Sequence, residues 1–131
     1  MLLTSRTRHR WIIPKGWPIR RLKPAKSAAR EAFEEAGVQG RVSSIPLGRY
    51  TYDKLLDEDG RAIACEVTVY PLAVKRQLGT WPEIAQRETR WLAVGEALAL
   101  TDEDGLRPLL EAFAAKMQAK RKSGSQASSR V

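Results

Sequence analysis

One stretch of the chain carries a clear helical pattern of apolar positions. Between residues 24 and 37, apolar side chains recur at the three- and four-residue spacing of a single helix face. Pro24 suits the first helical position because its missing N–H would be unpaired there. Gly37 suits the position just past the helix end, where a left-handed conformation is usual. We therefore predict a helix over residues 24–36, with an apolar face made of Ala25, Ala28, Ala29, Ala32, Phe33 and Ala36.

Extended patterns lie on both sides of this helix. Runs of β-branched and aromatic residues between polar or turn-forming clusters are typical of strands. An Asp-Gly turn at residues 57–60 predicts that the strands 42–54 and 63–74 pair antiparallel. A second helix is expected to begin at Thr101 or Asp102, either of which can cap it. The predicted strands cover residues 1–6, 11–13, 42–54, 63–74 and 84–92.

Length and composition indicate one domain in a reducing compartment. The 131 residues are 43% hydrophobic, which suffices for a core. The single cysteine, Cys65, excludes an internal disulfide and favours the cytoplasm. No apolar run approaches the ~20 residues that span a bilayer, so no membrane is expected as a partner. Because Ser, Gly, Lys and Gln dominate the end of the chain, we predict a domain over residues 1–118 and a basic disordered tail over residues 119–131.

The net charge of +8 points to polyanionic partners, and its distribution is uneven. Residues 1–30 contain nine Lys or Arg and no acid, whereas all fifteen acids lie between Glu31 and Glu111. An Arg-rich, acid-free beginning resembles an organelle transit peptide. We discount that interpretation because cleavage past this stretch would remove the glycine turn described next. A basic rim that attracts substrate is the preferred interpretation.

Three glutamates on the predicted helix are the strongest candidates for chemistry. Glu31, Glu34 and Glu35 fall within an arc of about 100° beside the apolar stripe. Such carboxylates repel one another unless a cation lies among them, and Mg²⁺ prefers oxygen ligands while keeping places for water and substrate phosphate. The alternative is a solvated charged face, which is the usual role of acids opposite an apolar stripe. The preceding turn, residues 14–18, favours the metal, because Gly16 lets backbone approach a ligand closely.

These residues resemble the signature of the Nudix hydrolase family. That signature is Gly, five residues, Glu, seven residues, then Arg-Glu-apolar-x-Glu-Glu-x-Gly-apolar. Gly16 opens it here, and residues 30–38, Arg-Glu-Ala-Phe-Glu-Glu-Ala-Gly-Val, close it at the right distance. Leu22 stands where the signature has its first Glu. Residues 81–83, Trp-Pro-Glu, and the later Gln-x-x-x-x-Trp at 86–91 resemble the diphosphoinositol polyphosphate phosphohydrolase-like branch of the family.

The resemblance implies a fold and an assembly. It implies the α/β class, with a mixed β-sheet sandwiched between helices. The family normally has a further strand before the point where residues 1–6 begin, so the sheet is expected to lack an N-terminal strand. An uncovered sheet edge would favour a homodimer.

The resemblance also implies a reaction and its residues. The expected activity is metal-dependent hydrolysis of a pyrophosphate linkage, with Mg²⁺ or Mn²⁺ as the cofactor. The implied metal ligands are Glu31, Glu34, Glu35 and the carbonyl of Gly16, and one of the glutamates is also a candidate base. Arg30 is expected to hold a glutamate in register. Within the family, the general base sometimes comes from a later loop.

Other residues are candidates for the base and for substrate binding. Glu83 and Glu88 are the candidates for a base from a later loop, although a surface salt bridge is the more common role of such acids. Trp17 and Trp81 either stack on a base or pack in the interior, and packing is the more frequent role. The expected substrate is a nucleoside or inositol polyphosphate, of the dinucleoside polyphosphate or diphosphoinositol polyphosphate type. Its anionic chain would be neutralised by Lys15, Arg20, Arg21 and Lys23.

Two alternatives to an enzyme remain open. The chain could be a basic RNA-binding module, or a partner subunit on the same fold that performs no turnover. The net charge and the basic tail favour RNA, and Leu22 together with the missing strand favours a partner subunit. Against the RNA-binding module stand Glu31, Glu34 and Glu35, because RNA binding does not require three carboxylates on one helix.

Overall fold

The computed structural model describes residues 1–6, 8–55 and 60–127, and these form an α/β domain of the predicted class. The strands are β1 (Leu2–Thr4), β2 (Trp11–Ile12), β3 (Val38–Val42), β4 (Gly48–Leu55), β5 (Ala62–Val69), β6 (Leu72–Gln77) and β7 (Thr89–Arg90). The helices are α1 (Pro24–Ala36), α2 (Val94–Leu100) and α3 (Arg107–Ala127), with a 3₁₀ turn at Asp104–Leu106 before α3.

The first helix has the predicted boundaries. It begins at Pro24 and ends at Ala36. Gly37 follows it with φ of 70°, in the left-handed region, and its N–H donates to the carbonyl of Phe33 at 2.9 Å. The signals read from the sequence at both ends of the helix are therefore confirmed.

Gly37 also allows a close contact that no other residue would permit. A Cβ at this position would lie 2.2 Å from Cε3 of Trp81, so the indole ring sits directly on the glycine backbone. The contact brings the segment that follows β6 onto the C-terminal end of α1. The same segment is fastened there by a hydrogen bond from the Leu78 N–H to the Gly37 carbonyl, 2.9 Å long.

Replacing Gly37 with alanine should destabilise the domain strongly. The substitution combines the cost of a left-handed alanine with displacement of the Trp81 ring, which we expect to total about 3 kcal/mol. Gly60→Ala is the matched control, because Gly60 has φ of 81° and nothing in the described part of the chain lies within 4 Å of its Cβ position. It should lose only about 1–2 kcal/mol. Equal losses for the two variants in denaturant unfolding would show that the indole contact contributes nothing.

The core lies between α1 and a small antiparallel sheet. β1 is the central strand of the order β2-β1-β7, and Leu3 within it is completely buried. Leu3 packs in one cluster with Ala32 and Ala36 of α1 and Val38 of β3. The apolar face read from the sequence therefore supplies the helix side of this core. β3 pairs separately with β6.

The predicted antiparallel hairpin forms, but its second strand ends early. β4 and β5 pair antiparallel from Gly48↔Val69 to Leu55↔Ala62, which confirms their pairing. The predicted strand 63–74 is wrong in its continuity, because β5 ends at Val69 and β6 begins at Leu72. Pro71 lies in the break, and a proline cannot donate to a strand ladder. The predicted turn lies outside the described residues except for Gly60.

The C-terminal third differs most from the predictions. The strand predicted over residues 84–92 is only the two residues of β7, because residues 82–86 form turns. Thr101 ends α2 instead of starting a helix, since its N–H donates to Ala97. α3 then begins at Arg107, with Pro108 in its first turn as expected.

The predicted boundary of the tail falls inside α3. This helix runs through residue 119 to Ala127, and residues 128–131 lie outside the described residues. The division between a domain and a tail stays a prediction. Among the described residues, no helix is long and apolar enough to cross a membrane.

Candidate active site on the first helix

The centre of the candidate site is a pair of glutamates one helical turn apart on α1. Glu35 is buried, with 3% of its surface exposed, and Glu31 is half-buried. The Glu35 carboxyl donates a hydrogen bond to the Glu31 carboxylate. A solvated charged face is therefore the wrong interpretation for Glu35. Burying an ionisable acid is costly, and acids with shifted pKa values cluster at functional sites, which makes Glu35 a candidate site residue.

The pair holds a proton more tightly than free glutamates do. Burial raises the pKa of Glu35 from its ordinary value of 4.5 to about 8, against the opposing effect of the nearby Arg87 guanidinium. The charges of Glu83 and Glu31 act in the same direction as burial. Burial also raises the pKa of Glu31, although the hydrogen bond from Glu35 counteracts this. Near neutral pH without metal, the two carboxyls share a proton.

Gly16 packs its backbone directly against Glu31, one member of this pair. A Cβ on Gly16 would lie 2.3 Å from Cδ of Glu31 and 2.6 Å from each of its carboxylate oxygens. Only glycine leaves room for the carboxylate here. The structure thus brings together the two ends of the sequence motif, the glycine turn and the helix acid.

Glu34 and Arg30 lie on the more exposed side of the helix. The Arg30 Nε donates to a carboxylate oxygen of Glu34 at 3.0 Å, the i,i+4 contact that the sequence suggested. Both side chains are substantially exposed, so the pair adds little stability. Glu34 is directed to Arg30 rather than to Glu31 and Glu35. The predicted roles of Arg30 and Glu34 stay predictions.

A covering segment, residues 78–83, lies over the C-terminal end of α1. The Trp81 Nε1–H donates to the carbonyl of Glu35 at 3.2 Å, and the Glu83 N–H donates to the carbonyl of Glu34 at 3.0 Å. These bonds satisfy helix carbonyls that lack partners within the helix. They also carry the Glu83 side chain to the glutamate pair. Trp81 therefore packs within the protein, which is the more frequent of the two roles expected for it.

Arg87 is the cation of this cluster. Its Nε donates to Glu83 at 3.0 Å, its Nη2 lies 3.5 Å from an oxygen of Glu35, and its Nη1 donates to the Thr4 carbonyl at 3.2 Å. Only 9% of the Arg87 side chain is exposed. Glu83 is thus in a mostly buried ion pair. Glu88, the other candidate base, is exposed and forms a surface salt bridge with Arg90 at 3.2 Å, which is the more common role expected of such an acid and disfavours Glu88 as the base.

A cavity of about 530 Å³ opens beside Gly16 and Glu31. Its walls are the turn at residues 14–18, the beginning of α1 and the β4–β5 hairpin. Trp17 stands at this cavity with 62% of its surface exposed, so packing in the interior is the wrong interpretation for this tryptophan. The Lys54 ammonium lies 5.1 Å from the centre of the Trp17 ring.

Of the four cations predicted to bind substrate, one is neutralised by a carboxylate and three have exposed side chains. Lys15 lines the cavity, but its ammonium lies 2.9 Å from Glu103 and 4.3 Å from the centre of the Tyr52 ring. The Tyr50 hydroxyl donates to the same Glu103 at 3.1 Å. The charge of Lys15 is therefore already neutralised, and this residue fastens the glycine turn to the segment before α3. In contrast, the side chains of Arg20, Arg21 and Lys23 are exposed on the loop before α1.

The donors suit a hard divalent cation in kind but are not gathered around one point. Among the described residues, no three His, Cys, Asp or Glu side chains are grouped closely enough to hold a metal ion. Glu31 and Glu35 are together, and the tight space at Gly16 keeps its backbone beside Glu31. Carboxylate and carbonyl oxygens are the ligands that Mg²⁺ and Mn²⁺ accept. The residues therefore fit such an ion once the shared proton has left.

Sequence reasoning missed two residues of this arrangement, Arg87 and Glu103. The spacing of Glu83 and Arg87 is that of an i,i+4 ion pair, yet this segment is a turn, so the spacing alone was no guide. Nothing in the sequence distinguishes Arg87 from the rest of the 23 Lys and Arg residues to which it belongs. Glu103 lies 88 positions from Lys15, and only the fold brings them together.

Comparison with known proteins supports this interpretation of the motif. A family model described as the NUDIX domain matches residues 1–113. Nudix hydrolase 12, mitochondrial, of Arabidopsis thaliana is 35% identical over 124 residues, 93% of this chain and 61% of that protein. Nudix hydrolase 13, mitochondrial, of the same plant is 35% identical over 117 residues, 86% of this chain and 58% of that protein.

A mammalian protein matches at a similar level. Diphosphoinositol polyphosphate phosphohydrolase 3-beta of Bos taurus is 33% identical over 102 residues, 75% of this chain and 57% of that protein. The chain thus spans about three fifths of the length of these curated relatives. The family model covers the glycine turn and α1, and the chain belongs to the Nudix hydrolase family.

Proposed function

We propose that this protein is a metal-dependent hydrolase that cleaves a pyrophosphate linkage in a nucleoside or inositol polyphosphate. The observation that carries the proposal is the buried Glu35, hydrogen-bonded to Glu31 against the backbone of Gly16. Cleavage of a phosphoanhydride asks a protein chiefly for positioning and for neutralisation of charge. A pair of acids beside an open cavity, with exposed cations on the adjoining loop, offers both.

Glu31, Glu35 and the Gly16 carbonyl are the proposed holders of Mg²⁺, or of Mn²⁺ in its place, with Glu34 as a further ligand. A bound divalent cation would neutralise phosphate oxygens and make a water molecule more acidic. The protein's own contribution is to keep two carboxylates and a carbonyl within reach of one another. Glu83, held beside them by Arg87, is a second candidate for the base.

The proposed substrate class is supported by the exposed cations near the site and by the name of one relative. Arg20, Arg21 and Lys23 are exposed cations on the loop that leads into α1, where they can attract a polyphosphate chain. Lys15 is proposed to position the turn rather than to bind phosphate, because Glu103 already neutralises it. The bovine relative's name refers to a diphosphoinositol polyphosphate, which supports that substrate type beside the dinucleoside polyphosphates.

A turnover panel tests this function. Purified protein is incubated with dinucleoside polyphosphates, diphosphoinositol polyphosphates and nucleoside diphosphate sugars, each with Mg²⁺, with Mn²⁺ and with excess chelator. We expect release of phosphate or nucleotide from at least one polyphosphate class, and loss of that release with the chelator. No turnover of any substrate, combined with RNA binding that persists in chelator, would favour the RNA-binding module. No turnover and no RNA binding would favour a partner subunit.

Two further proposals concern the compartment and the oligomeric state of the protein. The single cysteine supports the cytoplasm, whereas two relatives are named as mitochondrial proteins. Fluorescence localisation of the full chain in its host decides between these compartments. Formation of a homodimer stays a prediction, and sedimentation of the purified chain measures it directly.

A further inference from the structure

The geometry points to Arg87 as a positioning residue for the site: we propose that its guanidinium holds the Glu83 carboxylate beside Glu35 and that metal binding depends on this arrangement. The inference deepens the proposed function and rests on it, since the metal is the one proposed there. Arg87 touches neither the cavity nor any predicted metal ligand except Glu35. Its action is therefore indirect, through the carboxylate of Glu83 that it holds beside Glu35.

Three elements that are distant in the sequence meet at this guanidinium. One nitrogen donates to the Thr4 carbonyl in β1, another to Glu83 in the covering segment, and a third lies 3.5 Å from Glu35 on α1. A guanidinium presents its donors in a fixed planar fork, so three partners in different directions fix its orientation. The fork therefore sets the position of Glu83 relative to Glu35. A lysine could satisfy at most part of this arrangement.

The charges around Arg87 do not balance within the protein. Glu31, Glu35 and Glu83 act on one another electrostatically, and Arg87 is the cation that acts on Glu31 and Glu35. When the three acids are ionised, this group carries two net negative charges, the amount that one divalent cation neutralises. A purely structural ion pair would leave no such excess. The imbalance indicates that Arg87 organises acids for a cation instead of simply neutralising them.

Two simpler roles for Arg87 predict different results. If Arg87 were only a structural anchor, its loss would lower stability and leave metal affinity unchanged. If it acted only through its positive charge, its loss would strengthen metal binding, because one repelling cation would be gone. A positioning role predicts the opposite, a weaker metal site. Residues that orient metal ligands typically change metal affinity or activity by about 10–100-fold.

The experiment compares Arg87→Gln, Arg87→Lys, Glu83→Gln and the double variant R87Q/E83Q. Mn²⁺ binding to the full chain is followed by the EPR signal of the free ion, and turnover is measured on the substrate found by the panel. We expect Arg87→Gln to weaken Mn²⁺ binding and to lower kcat by at least about tenfold, with Arg87→Lys in between. The double variant should match Glu83→Gln within about twofold, because both changes remove the same positioned carboxylate.

Arg90→Gln is the matched control. Arg90 is also basic and also pairs with a glutamate, but Arg90 and its partner Glu88 are both exposed. This variant should leave Mn²⁺ affinity and kcat unchanged. If Arg87→Gln does not fold, Arg87→Lys and Glu83→Gln still decide, since both must then weaken Mn²⁺ binding.

The possible outcomes separate this inference from the proposed function. Unchanged or tighter Mn²⁺ binding in the Arg87 variants would overturn the positioning role, as would independent, multiplying effects of Arg87→Gln and Glu83→Gln. If the native chain binds Mn²⁺ but cleaves no substrate, the proposed function fails, and the Mn²⁺ affinities still decide the role of Arg87. A native chain that binds no Mn²⁺ overturns both.

Discussion

Glu35→Gln is expected to abolish turnover and, at the same time, to stabilise the folded domain at alkaline pH. Glutamine matches the shape of the protonated carboxyl and can still donate a hydrogen bond to Glu31. It cannot bind a metal ion as a carboxylate does. Since residues that merely orient ligands cost up to about 100-fold, the loss of a ligand should reduce turnover by more than about 100-fold. Stability and activity thus make opposite demands on this position.

The stabilising effect depends on pH in a defined direction. Burial raises the pKa of Glu35 to about 8 in the folded chain, compared with an ordinary value of 4.5. Folding therefore binds a proton between these two values, and the contribution of Glu35 to stability is complete below about pH 4.5 and is lost as the pH rises through about 8. Glu35→Gln removes this loss. The variant should be more stable than the native chain at pH 8 by on the order of a few kcal/mol.

Denaturant unfolding at several pH values between 5 and 8.5, with chelator present, measures this difference. Glu88→Gln is the control, because Glu88 is exposed and pairs with Arg90 on the surface. It should change neither the pH dependence nor turnover. Mg²⁺ should restore stability to the native chain at pH 8, because it binds only the folded state, and should do so less for Glu35→Gln. Parallel pH profiles for the native chain and Glu35→Gln would contradict the shared proton.

Local signals explain why α1 was predictable. Proline at the first position, glycine at the end and an alanine face between them are all short-range features, and the helix has the predicted limits. The limits of the strands were harder to predict from the sequence, because they depend on which strands pair with one another. The apolar run through residues 63–74 is divided at Pro71 because its two halves pair with different strands, β4 and β3. Pairing of this kind is a tertiary effect on sequence preference.

The residues of the site likewise fall into those that local sequence predicted and those that only the fold brings together. Gly16, Glu31 and Glu35 belong to one motif of about twenty residues, so spacing along the chain was enough to suggest that they meet. The partners of that motif come from far away: Arg87 reaches Glu35 across 52 positions, and Glu103 reaches Lys15 across 88. From its charge alone, Lys15 was predicted to bind substrate, but its ion pair with Glu103 disfavours that role. Charge composition does not tell which cations are already neutralised.

Gly16→Ala is expected to reduce turnover by at least about 100-fold while hardly changing stability. The added methyl group would lie 2.3 Å from Cδ of Glu31, so the carboxylate has to move away from the turn. Because this is the far end of a flexible side chain, the displacement should cost no more than about 1 kcal/mol of folding free energy. A shift of about 1 Å in a reacting group is nevertheless enough for a loss on the order of 100-fold.

Gly79→Ala serves as the control for this substitution. Nothing in the described part of the chain lies within 4 Å of its Cβ position, and Gly79, like Gly16, has no positive φ. It should change neither turnover nor the midpoint of denaturant unfolding. In the double variant G16A/E31Q, the effect of the alanine should disappear, because the carboxylate it displaces no longer exists. Turnover near the native level in Gly16→Ala would show that the contact between the turn and Glu31 has no part in the reaction, and the glycine of the motif would then need another explanation.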